Sequence, residues 1–465
     1  MKSEREFPAF KGNLFQLIGP SLVTLGLGIG SGEFVLWPFL ASQYGFGIMW
    51  AAVIGITFQA ILLLEISRYS VVTGESIVHG FRKVHRLLPF WLLISTIIGF
   101  GWPGFAATAA YLFSSLFGIS SENKVFVSII LLLICGLALL VGKSTYKRIE
   151  SLQKVILPLS FLFLTFLFLF YFRWDTFQAL LLGLLGQGNG YNWLPSGIDM
   201  AVLLGAFAYA GSGGNFLLGQ SFYVIERKLG NTKHSDTLDI DNDIVKERED
   251  FSLKKHSISS SLASIRNFRK LRFFQFLETG LVFWGIGLLT ILMLVYIAFV
   301  TVNSIPGLPK GFDFLLREAD VIRSGVGILA MIIFVFVGIF ALLSVQLGAL
   351  DIMGRLAAWT AHAERKDSGK QKWHISRVYK LAVFAQLVAG MSIFSMGFAE
   401  PQSLIVTGAV FNALAMAVIA FVVLRINSTQ LPEGYRPSIF TRLFLFIAGL
   451  SYIVLFGVTV FGGLF

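Results

Sequence analysis

Long apolar runs separated by short polar joints fill this chain. The hydrophobic pattern gives eleven candidate spans of roughly 20 residues or more, at 14–43, 46–72, 88–117, 125–142, 150–172, 197–225, 276–303, 322–354, 379–398, 402–424 and 440–465. Helices of that length match the hydrocarbon thickness of a bilayer. The pattern predicts an all-α polytopic membrane protein with a single transmembrane domain over 1–465. Spans 1–5 (14–172) and 6–10 (197–424) form two halves. With five spans each, the second half enters the membrane in the opposite sense, giving a five-plus-five inverted repeat to which 440–465 adds an eleventh helix.

The same three residues interrupt the opening span of each half. Gly30-Ser31-Gly32 breaks span 1 and Gly211-Ser212-Gly213 breaks span 6. Glycine in a helix interior costs about 1 kcal/mol relative to alanine. Unwound backbone at membrane depth survives only where protein or a water-filled cavity satisfies its polar groups. Paired interruptions at corresponding places in two halves point to the solute site of a secondary transporter.

Composition agrees. Of 465 residues 55% are hydrophobic and 14% charged, against about 25% charged in soluble proteins. The lone Cys135 excludes an intramolecular disulfide and a cysteine metal cluster, and reads as inert packing. A net charge of +11 raises the question of a nucleic-acid partner. Its distribution answers no. If the N-terminus is cytoplasmic, all but five of the 37 Lys and Arg fall on the cytoplasmic side, the exceptions being Lys124, Arg173, Lys310, Arg317 and Arg323. That positive-inside bias predicts a C-terminus outside. The first apolar stretch is too long for a signal-peptide core and has no cleavage site after it, so it reads as a retained helix in a plasma or inner membrane.

Of the connections, 227–274 stands out as a long cytoplasmic loop. It passes from an acidic stretch (Asp236, Asp239, Asp241, Asp243) to a basic, serine-rich one (Lys254, Lys255, Ser257, Ser259 to Ser261) and closes on Arg266, Arg269, Lys270 and Arg272. Low hydrophobicity predicts partial disorder, with a membrane-hugging amphipathic end at the anionic leaflet. A regulatory contact through it is the alternative. The segments 173–196 (Trp174, Tyr191, Trp193) and 304–320 (Pro306, Pro309) read as outer loops with interfacial aromatics.

Glu33 is the sharpest candidate, the one ionisable residue placed near a midplane. Such a group costs at least about 2.5–3.5 kcal/mol on insertion scales and is a functional hypothesis by default. It suits a cation ligand, a proton carrier coupling transport, or a counter-charge to an amine. A hydrated vestibule position is the alternative. The breaks themselves, Gly30, Ser31, Gly32, Ala210, Gly211, Ser212 and Gly213, offer amides for an anion or carbonyls for a hard cation. Ser31 and Ser212 add hydroxyls and Asn215 an amide, so Ser31, Glu33 and Asn215 form the metal-ligand candidate set. Close helix packing is the competing reading for each glycine. Gln59, Gln346, Gln386 and Asn412 read as interhelical hydrogen-bonders, and Asp351–Arg355 and Glu65–Arg68 as ion pairs at helical spacing. Glu278, like these pairs, is placed toward a cytoplasmic end. No histidines share metal-ligand spacing on one helix, and no Walker sequence is present. No cofactor is expected.

The chain resembles the Nramp-like transporters (natural resistance-associated macrophage proteins) of the amino acid–polyamine–organocation superfamily. The likeness rests on Gly19-Pro20, the break ten residues on, Val71-Val72-Thr73-Gly74 closing span 2, and eleven helices. It implies the LeuT fold with helices 1 and 6 unwound, and proton-coupled divalent-metal transport. Departures accompany it. The family's Asp-Pro-Gly-Asn reads Gly30-Ser31-Gly32-Glu33 here, its Met-Pro-His-Asn becomes a glycine-rich stretch ending at Asn215, and span 88–117 has no carboxylate. Loss of the thioether leaves oxygen donors that fit harder ions. Ile29-Gly30-Ser31-Gly32-Glu33-Phe34-Val35 and Phe207-Ala208-Tyr209 are similar to amino-acid permease motifs, whose backbone amides receive a substrate carboxylate.

The leading expectation is an ion-coupled secondary transporter of a divalent, hard cation, with a proton or sodium as coupling ion and the lipid bilayer as its environment. A small amino-acid or carboxylate symporter is the second reading. A non-transporting sensor or scaffold is the third. An enzyme lacks support, since no nucleophile–base pair is visible.

Overall fold

A helix apolar on every side has no face to offer water, and such helices dominate the chain. In a computed structural model, residues 3–10, 12, 18–30, 32–141, 145–187, 193–234, 237–239, 244–246, 256–303, 313–368, 375–397 and 401–461 are described. Among them, eight helices are long and apolar enough to cross a membrane: Phe46–Thr73, Leu88–Phe117, Lys147–Phe170, Leu262–Val302, Ile328–Glu364, Ile375–Ser395, Leu404–Thr429 and Ile439–Phe461. A ninth span is the pair Pro20–Gly28 and Gly32–Tyr44, bent by 46°. The two other expected spans take shorter forms. Span 4 is Lys124–Leu140, 17 residues long, and span 6 is split into Met200–Ala208 and Gly219–Glu226. The protein is an integral, multi-pass, all-α membrane protein with spans 1 and 6 broken, as their glycines predict.

The broken spans lie innermost. Every residue of Pro20–Gly28 is buried, as are 202–208 and 219–225. Spans 5 and 11 lie outermost. Leu159, Leu162, Phe166 and Leu169 on the former, and Phe440, Leu443, Ile447 and Val454 on the latter, stand exposed at helical spacing, as a lipid-facing stripe should.

Span 3 is also interrupted, between Leu88–Phe100 and Gly104–Phe117. Pro103 has no N–H to give the carbonyl four residues back, which is Gly99. Asn412 supplies the missing donor, its Nδ2 lying 3.1 Å from Gly99 O. Gln386 Nε2 donates to Phe100 O at 3.0 Å, and Gln346 Oε1 accepts from Ala106 N–H at 3.3 Å. Three carboxamides from spans 8, 9 and 10 thus satisfy backbone that a bilayer could not.

The basic end of the bundle is tied by ion pairs. Arg68 and Arg272 both reach Glu65, at 2.7 and 3.2 Å. Arg355 lies 2.7 Å from Asp351 and 3.2 Å from Glu226, while the Tyr379 hydroxyl donates to Asp351 at 2.8 Å. Arg227, closing span 6, pairs with Glu150 at 3.0 Å and donates to Ile18 O at 2.7 Å. Glu278 accepts from the main chain of Ser21 at 3.1 Å and from its hydroxyl. The spaced charges read from sequence as ion pairs are ion pairs here.

The loop expectations need correction. Within 227–274 the described residues include a tight turn at Gly230–His234, a two-stranded pairing of Thr237–Asp239 with Ile244–Lys246, and the strand His256–Ile258. That last strand pairs in parallel with Ser3–Arg5. Its closing part is no surface-hugging loop. A helix starts at Leu262, capped by the Ser261 side chain accepting from Ser264 N–H, and runs on into span 7. Phe7 packs on Phe268 and Tyr435 and pins that start. The segments expected as outer loops likewise carry helices, Trp174–Gly183 and Asp313–Gly325. Asp236, Asp241, Asp243, Lys254, Lys255, Tyr191, Pro306, Pro309 and Lys310 lie outside the described residues.

Candidate substrate-binding site

Glycine sets how closely two helix backbones approach. A Cβ on Gly28 would collide with Gly211 O and Ser212 Cα, and one on Gly32 with Tyr209 O. The interruptions of spans 1 and 6 therefore lie main chain against main chain. Gly30 faces Val345 of span 8 instead. In span 6 the chain turns at Gly211, Gly213 and Gly214, with φ of 120°, 67° and 51°, a left-handed region that other residues enter only at a cost. Ala210 is buried just before this turn.

The exposed amides of the span 6 break are not free. Gln59 Oε1 accepts from both Ser212 N–H and Gly213 N–H at 2.9 Å, and its Nε2 donates to Ala208 O at 3.0 Å. Gly211 N–H donates to Tyr209 O at 2.9 Å. One carboxamide from span 2 thus replaces the helical ladder across the gap. Nor is the Gly30 carbonyl free, because it accepts from Phe34 N–H at 2.9 Å. The expectation of open carbonyls at Gly30 is corrected to that extent. The helix of span 1 resumes so soon that it reclaims this oxygen.

Asn215 and Asn412 are oriented alike. Asn215 Nδ2 donates to Leu92 O at 3.1 Å, Ser95 Oγ at 2.9 Å and Thr96 Oγ1 at 2.5 Å. Asn412 Nδ2 donates to Gly99 O and to the Tyr209 hydroxyl at 3.0 Å. Both nitrogens are spent on span 3 and its neighbours. Both Oδ1 atoms are left without a hydrogen bond among the described residues. A Cβ on Gly214 would collide with Asn412 Oδ1, which places that oxygen against the span 6 break.

Glu33 occupies the first turn after the span 1 break and has no exposed surface. Its carboxyl faces the main-chain N–H groups of Gly30 and Gly211, neither at full hydrogen-bond geometry, so both oxygens lack a partner among the described residues. The vestibule alternative is thereby removed, since the side chain is enclosed. The positive end of its own half-helix favours a negative charge there. Ser212 Oγ is likewise buried and unpartnered among the described residues. Ser31 lies outside the described residues. The structure thus brings Gly32, Glu33, Gly211, Ser212, Gly213 and Asn215 to one crossing.

Two residues of this crossing carried only a weak signal in sequence. Gln59 and Asn412 read as polar positions in apolar spans, with nothing local to mark them as braces of a break. Gln153 carried no signal beyond its polarity. It donates to Ser344 Oγ, which donates to Gly26 O at 2.8 Å. A small, partly open cavity of about 20 Å³ adjoins, lined by Gly26, Ile29, Phe34, Gln153, Ala341 and Ser344 among others, room for about one water-sized particle.

No protein-family model matches the chain, and neither does any curated protein. Solved structures do match. A manganese transporter of Eremococcus coleocola, in complex with an aromatic bis-isothiourea compound, superposes with TM-score 0.63 at 12% identity, covering 99% of this chain and 89% of that one. Mhp1, a nucleobase-cation-symport-1 family transporter in a closed conformation with bromovinylhydantoin bound, gives TM-score 0.56 at 14% identity, covering 98% and 93%. MhsT in complex with L-phenylalanine gives 0.52 at 14%, covering 98% and 100%. This is the LeuT fold. At such identities the LeuT-fold likeness describes backbone architecture, with two five-span halves whose opening helices break where they cross.

Proposed function

We propose that this LeuT-fold chain is an ion-coupled secondary transporter that carries a hard cation through the crossing of spans 1 and 6. One observation carries the reading. The amides of the span 6 break and the Nδ2 atoms of Asn215 and Asn412 are spent, while buried oxygens on and beside the two breaks have no partner among the described residues: Glu33 Oε1 and Oε2, Ser212 Oγ, Asn215 Oδ1 and Asn412 Oδ1. Buried acceptors left unpaired cost about 1–3 kcal/mol each, and a cation removes that penalty by accepting their lone pairs. An oxygen-only donor set suits hard ions of the magnesium or calcium type over soft transition metals. Glu33 supplies the charge and is the candidate coupling group, for a proton or sodium. Alternating access would proceed by rocking one half against the other around this crossing.

An amino-acid substrate finds no free amide at the span 6 break, where those of Gly211, Ser212 and Gly213 already have partners. The distribution of basic residues supports a cytoplasmic N-terminus in a plasma or inner membrane.

Binding to the purified chain, followed by uptake into proteoliposomes, tests the reading with Mg²⁺, Ca²⁺, Mn²⁺ and a panel of amino acids. Saturable Mg²⁺ or Ca²⁺ binding that is lost in Glu33→Gln is the expected result. Mn²⁺ outcompeting Mg²⁺, or an amino acid binding while no cation does, would overturn it.

A further inference from the structure

A second cavity lies at the basic end, far in sequence from either break. It is an open cleft of about 650 Å³ between the close of span 2, the start of span 7 and the entry to span 11. Four arginines line it: Arg68, Arg269, Arg272 and Arg436. One carboxylate, Glu65, lies among them, and it is already shared by Arg68, Arg272 and Asn427 Nδ2. Arg68 and Arg272 are held still by carbonyls as well, Tyr435 O at 3.1 Å and Leu64 O at 2.7 Å. Arg436 donates to Leu431 O at 2.8 Å, and its nearest carboxylate, Glu433, is 3.9 Å away and almost wholly exposed. Arg269 has no hydrogen-bond or ion-pair partner among the described residues. The cleft therefore carries uncompensated positive charge on partly immobilised guanidinium groups.

Its wall is of the opposite character. Phe273, Phe276, Phe440 and Phe444 line the cleft and are 59%, 60%, 76% and 44% exposed. Phe440 and Phe444 are one turn apart at the start of the outermost span, and Phe273 and Phe276 at the start of span 7. A soluble anion would use the arginines and leave this apolar wall in water. A phospholipid uses both, because guanidinium groups bind phosphate through paired N–H donors and acyl chains cover aromatic rings. Basic pockets between spans at the anionic face of a membrane bind acidic headgroups.

We propose that this cleft binds an anionic phospholipid, its phosphate between Arg269 and Arg436 and its chains along the four phenylalanines. The lipid would tie spans 2, 7 and 11 together at one membrane face, whatever solute the central crossing carries.

Native mass spectrometry and thermal melting of the full chain, titrated with phosphatidylglycerol and separately with phosphatidylcholine, test this. Phosphatidylglycerol should stay bound in preference and raise the melting temperature. Arg269→Ala with Arg436→Ala should weaken that binding by about thirty-fold while phosphatidylcholine binding is unchanged, and Arg269→Lys with Arg436→Lys should restore part of it. Equal retention of the two lipids by the wild type, or undiminished phosphatidylglycerol binding in the alanine pair, overturns the proposal. So does displacement by glycerol 3-phosphate at the same concentration as the lipid, which would make the site one for a soluble anion. If the alanine pair does not fold, photo-crosslinkable phosphatidylglycerol on the wild type decides. Labelling at Phe273 or Phe440 supports the site, and labelling elsewhere only overturns it.

Discussion

The carbonyl oxygen of Gly211 occupies the space that a side chain on residue 28 would need. Ser212 Cα would be met as well, and both atoms belong to main chain, so neither can swing aside as a flexible side chain would. The contact holds the two broken spans at a distance only glycine permits.

Gly28→Ala should therefore act as an overpacking change. A destabilisation of about 1–3 kcal/mol is expected, read as a lower melting temperature, together with loss of solute binding. Gly457→Ala is the matched control, since nothing lies within 4 Å of a Cβ there. It should be neutral or slightly stabilising. Equal effects of the two changes would remove the close approach as a constraint.

Gln59→Leu removes three hydrogen bonds from the span 6 break at once. Two backbone N–H groups and one carbonyl are then buried unpaired, at about 1–3 kcal/mol each. Gln59→Glu keeps the acceptor for Ser212 and Gly213 and should be milder. Hydrogen exchange over 208–216 should rise sharply in the leucine variant. Unchanged protection there would show that Gln59 does not brace the break.

Glu33→Gln conserves shape and removes the capacity for negative charge at an enclosed position. Folding should be preserved, with a melting temperature no lower than wild type. Uptake should fall by at least ten-fold, roughly what a lost charge-assisted ligand of about 1.5–3 kcal/mol gives. Wild-type uptake with the same pH profile would exclude a coupling role.

Glu318 offers a stability test outside the spans. It lies buried on the helix Asp313–Gly325, and burial pushes its carboxyl up to about 8 from the ordinary 4.5. The folded state then holds this proton more tightly than the unfolded one. Its contribution is greatest below the unfolded value and declines as pH rises toward about 8. The wild-type melting temperature should fall across that window more steeply than that of Glu318→Gln, and the variant should be the more stable above it. Parallel profiles would remove Glu318 as the cause.

Composition misled most at 262–274. The 262–274 segment is polar enough to read as a loop, yet Ser261 caps a helix there and the far N-terminal Phe7 packs on Phe268 to hold it. Polarity along a segment says nothing about a partner more than 250 residues away.

The sequence by itself determined the spans and the inner position of the two broken helices, and it singled out Glu33 as the ionisable residue to test. A membrane helix satisfies its own backbone, so length and hydropathy are local quantities, and a glycine-serine-glycine break is visible wherever it falls. Only the tertiary structure decided which polar atoms at the crossing are spent. Asn215 and Asn412 each present a donor and an acceptor. Which one faces the site is set by span 3, whose proline leaves a carbonyl for Asn412 to satisfy and turns its oxygen the other way. That choice belongs to a neighbouring helix, and no stretch of chain around Asn412 encodes it.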